Sequence, residues 1–262
     1  MAEPRRRVPA PFIVLSALGA ALVVLPLAGL VLHAPWPEVG TAFTSERARE
    51  ALRLSLEVSF CAAAIALVLG FPLAWVLARA SFPGRGLLRA AVVLPLVMPP
   101  VVGGVGLLTA FGRRGLLGNP LHVLGVQLPF TTAGAILAAT FVSFPLLVIA
   151  TEAGLRSLDP RLEQASETMG ASRWYVMRRV TFPLLLPQIG AGLALTWARA
   201  LGEFGATITF AGNLQGKTQT LPLAVFEAGQ TDPGAAILLS LLLVAMSLAA
   251  LFVLRGRIVA AP

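Results

Sequence analysis

Charged residues, cysteine and histidine are all scarce in this sequence. Charged residues make up 12% of its 262 positions and hydrophobic residues 57%, whereas a soluble domain carries about a quarter charged residues. The composition therefore indicates a protein whose solvent is lipid. The single cysteine, Cys61, allows no disulfide framework, and the two histidines, His33 and His122, have no ligand-spaced neighbours. Since zinc sites need three or four clustered ligands, no metal site is expected.

Acidic residues are outnumbered, with 12 against 20 basic residues and a net charge of +8. The basic residues do not gather on one amphipathic face, so nucleic-acid binding is not expected. They lie in short clusters between apolar runs, as basic residues do at the cytoplasmic ends of membrane spans. The scarcity of histidine, cysteine and aspartate also argues against an intramembrane enzyme, which would need clustered catalytic side chains. The lipid bilayer is thus the first expected partner.

Six long apolar runs follow one another along the chain. Each has about the 20 residues that cross the hydrocarbon core of a bilayer, and the runs are too long and continuous to be strands of a membrane barrel. They predict an all-α integral membrane protein with about six transmembrane helices, in a single domain over residues 1–262. The predicted spans are 11–33, 54–78, 89–111, 133–154, 184–210 and 235–254.

The N-terminus resembles a signal peptide, because Arg5–Arg7 precede an apolar run. That run, 12–32, is longer than the usual hydrophobic region of a signal peptide, and further spans follow it. It is therefore predicted to remain as the first span, with the N-terminus in the cytoplasm. Most of the arginines then fall in cytoplasmic segments, which favours both termini being cytoplasmic. In the outer segment 34–53, Ser45 is predicted to cap a short surface helix.

The longest cytoplasmic segment, 159–182, has the pattern of two short helices. The dipeptide Asp159-Pro160 is a favourable helix start, and Gly170 is a natural C-terminal stop. Ser172 can cap a second helix over 173–180. The helices expose aromatic and basic residues, namely Arg173, Trp174, Tyr175, Arg178 and Arg179. Taken alone, this pattern fits a helix pair lying at the lipid headgroups equally well.

The same segment resembles the EAA signature of ABC-importer permeases, which reads Glu-Ala-Ala, three residues, Gly, nine residues and then Ile-x-Leu-Pro. The matching positions are Gln164, Ala165, Ser166, Gly170 and Pro183. Glutamine and serine replace the first Glu and the last Ala, and a carboxylate stands next to them at position 163. The segment precedes the penultimate predicted span, as the signature does in these permeases.

The resemblance implies that this segment docks into a groove on a separate ATP-hydrolysing subunit. It further implies a homodimer in the bacterial cytoplasmic membrane, two copies of the ATPase subunit and an extracytoplasmic binding protein that delivers the substrate. ATP and Mg²⁺ would be bound by the ATPase, and this chain would bind no cofactor and catalyse no covalent chemistry. The residues expected in the ATPase-coupling loop are Glu163, Gln164, Ala165, Ser166, Gly170, Arg173, Trp174, Tyr175 and Pro183.

Three later stretches, 198–207, 210–213 and 216–223, resemble the molybdate permeases among these importers. Sulfate and tungstate permeases have similar runs, so sulfate and tungstate stay as alternatives to molybdate. A stand-alone channel or secondary transporter would need no ATPase, and the EAA-like segment argues against it. The stretch 211–218 also fits a permissive phosphate-binding loop pattern, but it follows a membrane helix rather than a buried strand, so ATP binding is not expected there.

Two charged residues fall inside the fifth predicted span, where charges are expensive and indicate function. With the periodicity of a helix, Thr196, Arg199, Ala200, Glu203 and Thr207 share one face. This face is predicted to line the anion path, with Glu203 in an orienting or neutralising role. A buried structural ion pair between helices is an equal alternative.

The third predicted span contains Pro99 and Pro100, followed by Gly103. Prolines free backbone carbonyls, which are tolerated at membrane depth only beside protein or a water-filled cavity. These three residues are therefore candidates for lining the anion path, and a packed kink is the alternative.

Overall fold

The computed structural model describes residues 9–258, with side chains over residues 9–249. Arg5–Arg7 lie outside the described residues, as do the side chains of Arg255 and Arg257. Within residues 9–258 the chain forms helices and no strand. Its α-helices in this range are α1 Ala10–Leu32, α2 Val39–Thr44, α3 Glu46–Arg79, α4 Arg85–Val97, α5 Pro100–Phe111, α6 Gly118–Val123, α7 Thr132–Ser157, α8 Pro160–Thr168, α9 Arg173–Val176, α10 Phe182–Leu201, α11 Gly205–Phe210, α12 Leu221–Thr231 and α13 Pro233–Ile258.

Four stretches of the described residues are long and apolar enough to cross a membrane, namely α1, α3, α7 and Arg173–Leu201. Two shorter apolar stretches accompany them, Pro100–Phe111 and Pro233–Ala249. The fold is therefore all-α with four to six apolar helices, in agreement with the class that the composition predicts.

The prediction of a continuous third span over 89–111 is wrong, because the chain breaks there into α4 and α5. Met98 and Pro99 are extended, with ψ angles of 136° and 129°. A residue that precedes proline is pushed out of the helical region, and here two prolines follow Met98 in succession. Pro100 then begins α5, a position where its missing N–H costs nothing.

The fifth predicted span, 184–210, is also two helices rather than one. Helix α10 ends at Leu201, and α11 begins at Gly205. The residues between them leave helical geometry, with Gly202 at ψ 8° and Phe204 at φ −128°. A hydrophobic run gives no sign of such a break.

Helix α3 is longer than predicted. Ser45 does act as a cap, since its side chain accepts a hydrogen bond from the Ala48 N–H. The helix that it caps is not a short surface helix, however, but the whole of α3, which has 34 residues. At 1.5 Å per residue it is about 50 Å long, and it extends beyond a hydrocarbon core of about 30 Å.

Helices α3, α7 and α10 form the centre of the fold. Small residues allow their backbones to approach closely, as is usual between membrane helices. A Cβ placed on Gly192 of α10 would lie 2.8 Å from the Cβ of Ala150 in α7. One placed on Gly70 of α3 would lie 3.2 Å from a side-chain carbon of Leu147. Larger side chains at these glycines would force the three helices apart.

An apolar cluster joins the same three helices next to the start of α8. We call it the Phe71 cluster, and it consists of Phe71 and Trp75 of α3, Leu155 of α7, and Phe182 and Leu185 of α10. The rings of Phe71 and Phe182 meet edge to face with centroids 5.7 Å apart, a favourable aromatic geometry. Leu155 and Leu185 are fully buried, so this end of the bundle is tightly packed.

Candidate coupling segment and anion pathway

Helix α8 and the turn after it are defined by three local signals. The Asp159 Oδ1 accepts a hydrogen bond from the Arg161 N–H at 2.9 Å and caps the start of α8. The helix ends in a Schellman motif, with the Gly170 N–H donating to the Glu167 carbonyl and the Ala171 N–H donating to the Ser166 carbonyl. Gly170 has a φ of +86°, and a Cβ added to it would meet nothing within 4 Å. The glycine is thus required by backbone conformation and not by crowding within this chain.

The second short helix does not end before the next span. Ser172 caps α9 by accepting from the Tyr175 N–H at 3.3 Å, but α9 then continues through a wide turn, Met177–Thr181, into α10. Predicting a separate helix over 173–180 was therefore wrong. In the wide turn the Phe182 N–H donates to the Met177 carbonyl, five residues back. This π-type turn lets the helix continue into Pro183, which lacks an N–H and would clash with a regular preceding turn.

The outer surface of this segment carries large exposed side chains. Met169 is 84% exposed, Trp174 68% and Tyr175 55%. Gln164, Ala165, Arg173 and Pro183 are exposed as well, and Ser166 is half-buried with its hydroxyl donating to the Leu162 carbonyl. We call these residues the docking face: Leu162, Gln164, Ala165, Met169, Arg173, Trp174 and Tyr175. An apolar patch of this kind with basic residues beside it is typical of a protein interface.

Glu163 differs from its neighbours because it turns toward the bundle. Its Oε1 accepts a hydrogen bond from the Arg79 guanidinium at 2.9 Å and another from the Thr181 hydroxyl at 2.8 Å. Arg79 is the last residue of α3, and Thr181 directly precedes α10 and is buried. Sequence reasoning placed Glu163 in the segment but gave no sign of either partner. Arg79 lies 84 positions away along the chain, and only the folded bundle brings it close.

Arg199 and Glu203 form an ion pair, with 2.7 Å between Nη1 and Oε2. The second oxygen of Glu203 accepts the Ala206 N–H at 2.8 Å, which satisfies a free donor in the first turn of α11. Glu203 is buried, whereas the Arg199 side chain is 32% exposed. Both oxygens of the Glu203 carboxylate therefore have partners within the chain, while the Arg199 guanidinium remains partly exposed.

The predicted common face of the fifth span does not exist as one helix face, because α10 ends before Glu203. Thr196 lies within α10 and is fully buried, and its hydroxyl has no hydrogen-bond partner among the described residues. Thr207 lies in α11 and is buried too. Of the predicted set, only Arg199 combines a charge with partial exposure.

The break between α4 and α5 is packed on one side and open on the other. Pro99 and Pro100 are exposed. Gly103 is buried, and a Cβ on it would lie 3.2 Å from the ring of Phe141 in α7. Gly103 thus permits close packing, as expected for a packed kink. Pro99 and Pro100 beside it remain exposed.

A second polar network fixes the loop between α11 and α12. Arg47, at the start of α3, forms an ion pair with Glu227 of α12. The other Glu227 oxygen accepts from the Asn213 amide at 2.9 Å and from the Gln219 amide at 2.5 Å. Arg47 also donates to the Gln219 side-chain oxygen at 3.3 Å. The loop residues 211–218, which fit a phosphate-binding pattern, are thus part of a hydrogen-bonded connection between helices.

This network lowers the pKa of Glu227, and α12 is not among the stretches that can cross a membrane. The hydrogen bond from Arg47 is the largest cause of the lowered pKa, and partial burial opposes it. The charge of Arg47 and the amides of Asn213 and Gln219 lower the pKa further. The carboxylate is therefore held in its charged form near neutral pH.

A third charged group joins α4 to α7. Glu152 of α7 is buried and accepts hydrogen bonds from Arg89 of α4, at 2.5 Å from Nη2, and from Arg156 one turn later, at 2.8 Å. Arg89 also donates to the Leu77 carbonyl near the end of α3, at 3.4 Å. Sequence reasoning did not single out this group, although a glutamate four residues before an arginine is a recognisable helical pair.

Comparison with known proteins decides what kind of protein carries these features. Residues 66–259 match the family described as the inner membrane component of binding-protein-dependent transport systems. The chain belongs to this family. It is a non-catalytic, multi-pass permease component of an ABC transporter in the inner membrane, and the resemblance to ABC-importer permeases seen in the sequence is confirmed.

Relatives of the permease include molybdenum and sulfate transport permeases. It is 46% identical over 229 residues to the molybdenum transport system permease protein ModB of Mycobacterium tuberculosis, covering 87% of each chain. It is 46% identical over 201 residues to the protein of that name from Escherichia coli, covering 76% of this chain and 88% of the relative. The sulfate transport system permease protein CysT of Escherichia coli is 36% identical over 235 residues, with 88% and 85% covered.

Solved structures share the fold of the permease. A bacterial ABC transporter involved in the import of the acidic polysaccharide alginate matches with a TM-score of 0.70 at 20% identity, over 94% of this chain and 92% of that one. The inward-facing MetNI methionine ABC transporter matches with a TM-score of 0.59 at 18% identity, over 88% and 98%. At such identities the likeness shows the helical arrangement of an importer permease and nothing about substrate.

Proposed function

We propose that this permease moves molybdate inward across the cytoplasmic membrane, powered by a separate ATPase. The observation that carries the proposal is its 46% identity to molybdenum permeases over most of both chains. Identity to the sulfate permease over a similar length is lower, at 36%. Sulfate is accordingly the second candidate substrate, with tungstate as a close chemical relative of molybdate.

In the proposed complex, two copies of the chain form one pathway, and each docking face binds one ATPase subunit. The exposed aromatic and methionine side chains of α8 and α9 suit insertion into a groove. Both termini and the docking face lie in the cytoplasm, and an extracytoplasmic binding protein delivers the anion on the other side. A solved relative of this fold is the alginate transporter in complex with its substrate-bound periplasmic protein, which supports that arrangement.

The proposed mechanism is alternating access driven from the docking face. Closure of the ATPase pair moves α8 and α9, and because α9 runs without a break into α10, the movement enters the bundle directly. Pro99 and Pro100 at the α4–α5 break, together with the accessible side of Arg199, are the proposed lining of the anion path. Weak binding along this path favours release of the anion, so a single accessible guanidinium is sufficient.

The test is uptake of labelled molybdate by vesicles that contain the permease, its ATPase and its binding protein. Uptake should require ATP and should be blocked by tungstate but not by sulfate. Inhibition by sulfate would assign the permease to the sulfate branch instead. Uptake without ATP or without the ATPase would contradict the proposed coupling altogether.

A further inference from the structure

Helix α8 is connected to the rest of the chain by very few side chains. Its own residues are exposed or half-buried, none being fully buried. The hydroxyls of Ser166 and Thr168 donate to carbonyls within the helix itself. Among the described side chains of α8, Glu163 alone forms a hydrogen bond or ion pair with a residue of another helix or turn. Glu163 is therefore the one polar side-chain route by which movement of α8 reaches the bundle within the described residues, beside its packing contacts and the backbone on either side.

We propose that Glu163 is a positioning residue that couples movement of α8 to α3 and α10 at the same time. One carboxylate oxygen, Oε1, receives both the Arg79 guanidinium and the Thr181 hydroxyl. We call these three residues the latch. Arg79 ends α3 and Thr181 begins the approach to α10, so the latch joins α8 to the ends of two apolar helices. This inference rests on the function proposed above, since it concerns how ATP hydrolysis is coupled to transport.

The surroundings of the latch suit transmission of movement. Trp75 lies one turn before Arg79 on α3, and Phe182 directly follows Thr181, so both partners of Glu163 lie beside the Phe71 cluster. A tightly packed core transmits displacement rather than absorbing it. A shift of Glu163 is thus passed to a packed unit of α3, α7 and α10, and not to a single flexible side chain.

The latch and the docking face differ in exposure, although Arg79, Glu163 and Thr181 line one cleft together with Arg173 and Trp174 of the docking face. The Glu163 side chain is 23% exposed and Thr181 is 1% exposed, whereas Met169 on the docking face is 84% exposed. The Thr181 hydroxyl is therefore out of reach of a docked ATPase. A defect caused by losing that hydroxyl has to act within the permease.

The experiment compares Thr181→Val with Thr181→Ser in the complete complex of permease, ATPase and binding protein. Valine has nearly the same shape without the hydroxyl, and serine keeps the hydroxyl. We measure molybdate taken up per ATP hydrolysed, together with the amount of assembled complex. Thr181→Val should lower this ratio several-fold while ATP hydrolysis and assembly continue, and Thr181→Ser should restore the ratio to near the original value.

Glu163→Gln should lower the ratio in the same way, with Glu167→Gln as its matched control. Glu167 lies one turn later on α8 and forms no ion pair among the described residues. The double variant Arg79→Glu with Glu163→Arg should recover part of the ratio lost in each single variant, since it restores opposite charges at the same two positions.

Two results would contradict the proposed role of the latch. One is an unchanged uptake per ATP in Thr181→Val and Glu163→Gln complexes that assemble normally. The other is an equal loss in Glu167→Gln, which would assign the effect to charge on the segment as a whole. Failure of the proposed function looks different, because the unmodified complex itself would then show no ATP-dependent molybdate uptake.

Discussion

Four glutamates among the described residues are each held by an arginine that lies four residues away or in another part of the chain. The pairs are Arg47–Glu227, Arg79–Glu163, Arg199–Glu203, and Glu152 with both Arg89 and Arg156. Where the carboxylate is buried, as in Glu152 and Glu203, removing one partner costs more than removing both, because the remaining charge is left without compensation. Comparing single with double variants therefore shows whether a charge is needed only for the fold or also for transport of the anion.

Arg199 can be tested in this way. Arg199→Gln leaves the buried Glu203 carboxylate with only the Ala206 N–H, and we expect a loss of about 1–3 kcal/mol in the free energy of unfolding, reduced by the partial exposure of Arg199. The double variant with Glu203→Gln should recover most of that stability. Thermal unfolding of the purified permease measures both.

Transport by the same double variant then distinguishes the two roles considered for this pair. A stable double variant that no longer transports would support Arg199 as part of the anion path. A stable double variant with normal transport would assign the pair to structure alone.

Glu227 gives the chain a pH-dependent contribution to stability. Its folded pKa lies below the ordinary value of 4.5, so the Arg47 pair stabilises the fold fully above about pH 4.5 and is lost as the pH falls through the folded pKa. Both side chains are more than a third exposed, which limits the contribution to about 1 kcal/mol or less.

Glu227→Gln should therefore lower the unfolding temperature slightly at pH 7, and the difference from the unmodified protein should shrink below pH 4.5. Glu57→Gln, an exposed glutamate on α3 with no ion pair among the described residues, is the matched control. A difference that stays constant down to pH 3 would contradict a lowered pKa at Glu227.

At the scale of helices, glycine and proline decide where the elements end. The sequence allowed prediction of the start of α8 from Asp159 and its end from Gly170, because both signals are local. It did not allow prediction of the break at Gly202–Phe204, and at Met98–Pro99 it suggested at most a kink, since a reading by hydropathy gives the long apolar run more weight than the prolines or the glycine.

Gly170 tests the turn between α8 and α9. Its φ of +86° is unfavourable for a β-branched residue by roughly 1–2 kcal/mol, so Gly170→Val should distort the docking face and lower ATPase binding and stimulation. Asparagine tolerates this conformation, and since the position is open, Gly170→Asn should keep most of the binding. Co-purification with the ATPase checks both variants, and equal binding by both would contradict a role for the backbone conformation.

Helix α5 contains a matched pair of glycines. A Cβ on Gly104 would lie 2.5 Å from the Thr209 Cβ and 3.0 Å from the Ala206 carbonyl oxygen, whereas one on Gly106 would meet nothing within 4 Å. Gly104→Ala should separate α5 from α11 and lower the free energy of unfolding by about 1–3 kcal/mol. Gly106→Ala should be neutral or slightly stabilising, because alanine favours helix. Similar unfolding temperatures for the two variants would contradict the close packing of α5 on α11.

At the scale of the whole molecule, the composition predicts the fold class and the EAA-like segment predicts the family. The low fraction of charged residues and the long apolar runs are properties of the whole sequence. The all-α membrane fold and the importer family could therefore both be predicted. Three arginine partners could not, namely Arg79 of Glu163, Arg89 of Glu152 and Arg47 of Glu227, because each lies on a helix that is distant in sequence. Of the residues predicted to line the anion path, Pro99, Pro100 and Arg199 are exposed or half-buried and the others are buried, a distinction that only the folded chain provides.

The orientation of the molecule in the membrane can be measured directly. In a Cys61→Ser background expressed without the ATPase, Leu116→Cys and Met169→Cys introduce single thiols at positions 87% and 84% exposed. A membrane-impermeant maleimide should label Leu116→Cys in intact cells, and Met169→Cys only after the membrane is opened. The reverse pattern would invert the proposed topology and place the docking face outside.

The unbroken length of α3 has a mechanical consequence. The helix carries Arg79 at one end, in the latch, and Arg47 near the other, in the network that holds the loop between α11 and α12. A helix of about 50 Å that tilts around a fulcrum near its middle swings its two ends in opposite directions. As a rigid rod, α3 would pass a displacement of Arg79 to Arg47 in the opposite direction, and so would connect the proposed docking face with the loop between α11 and α12.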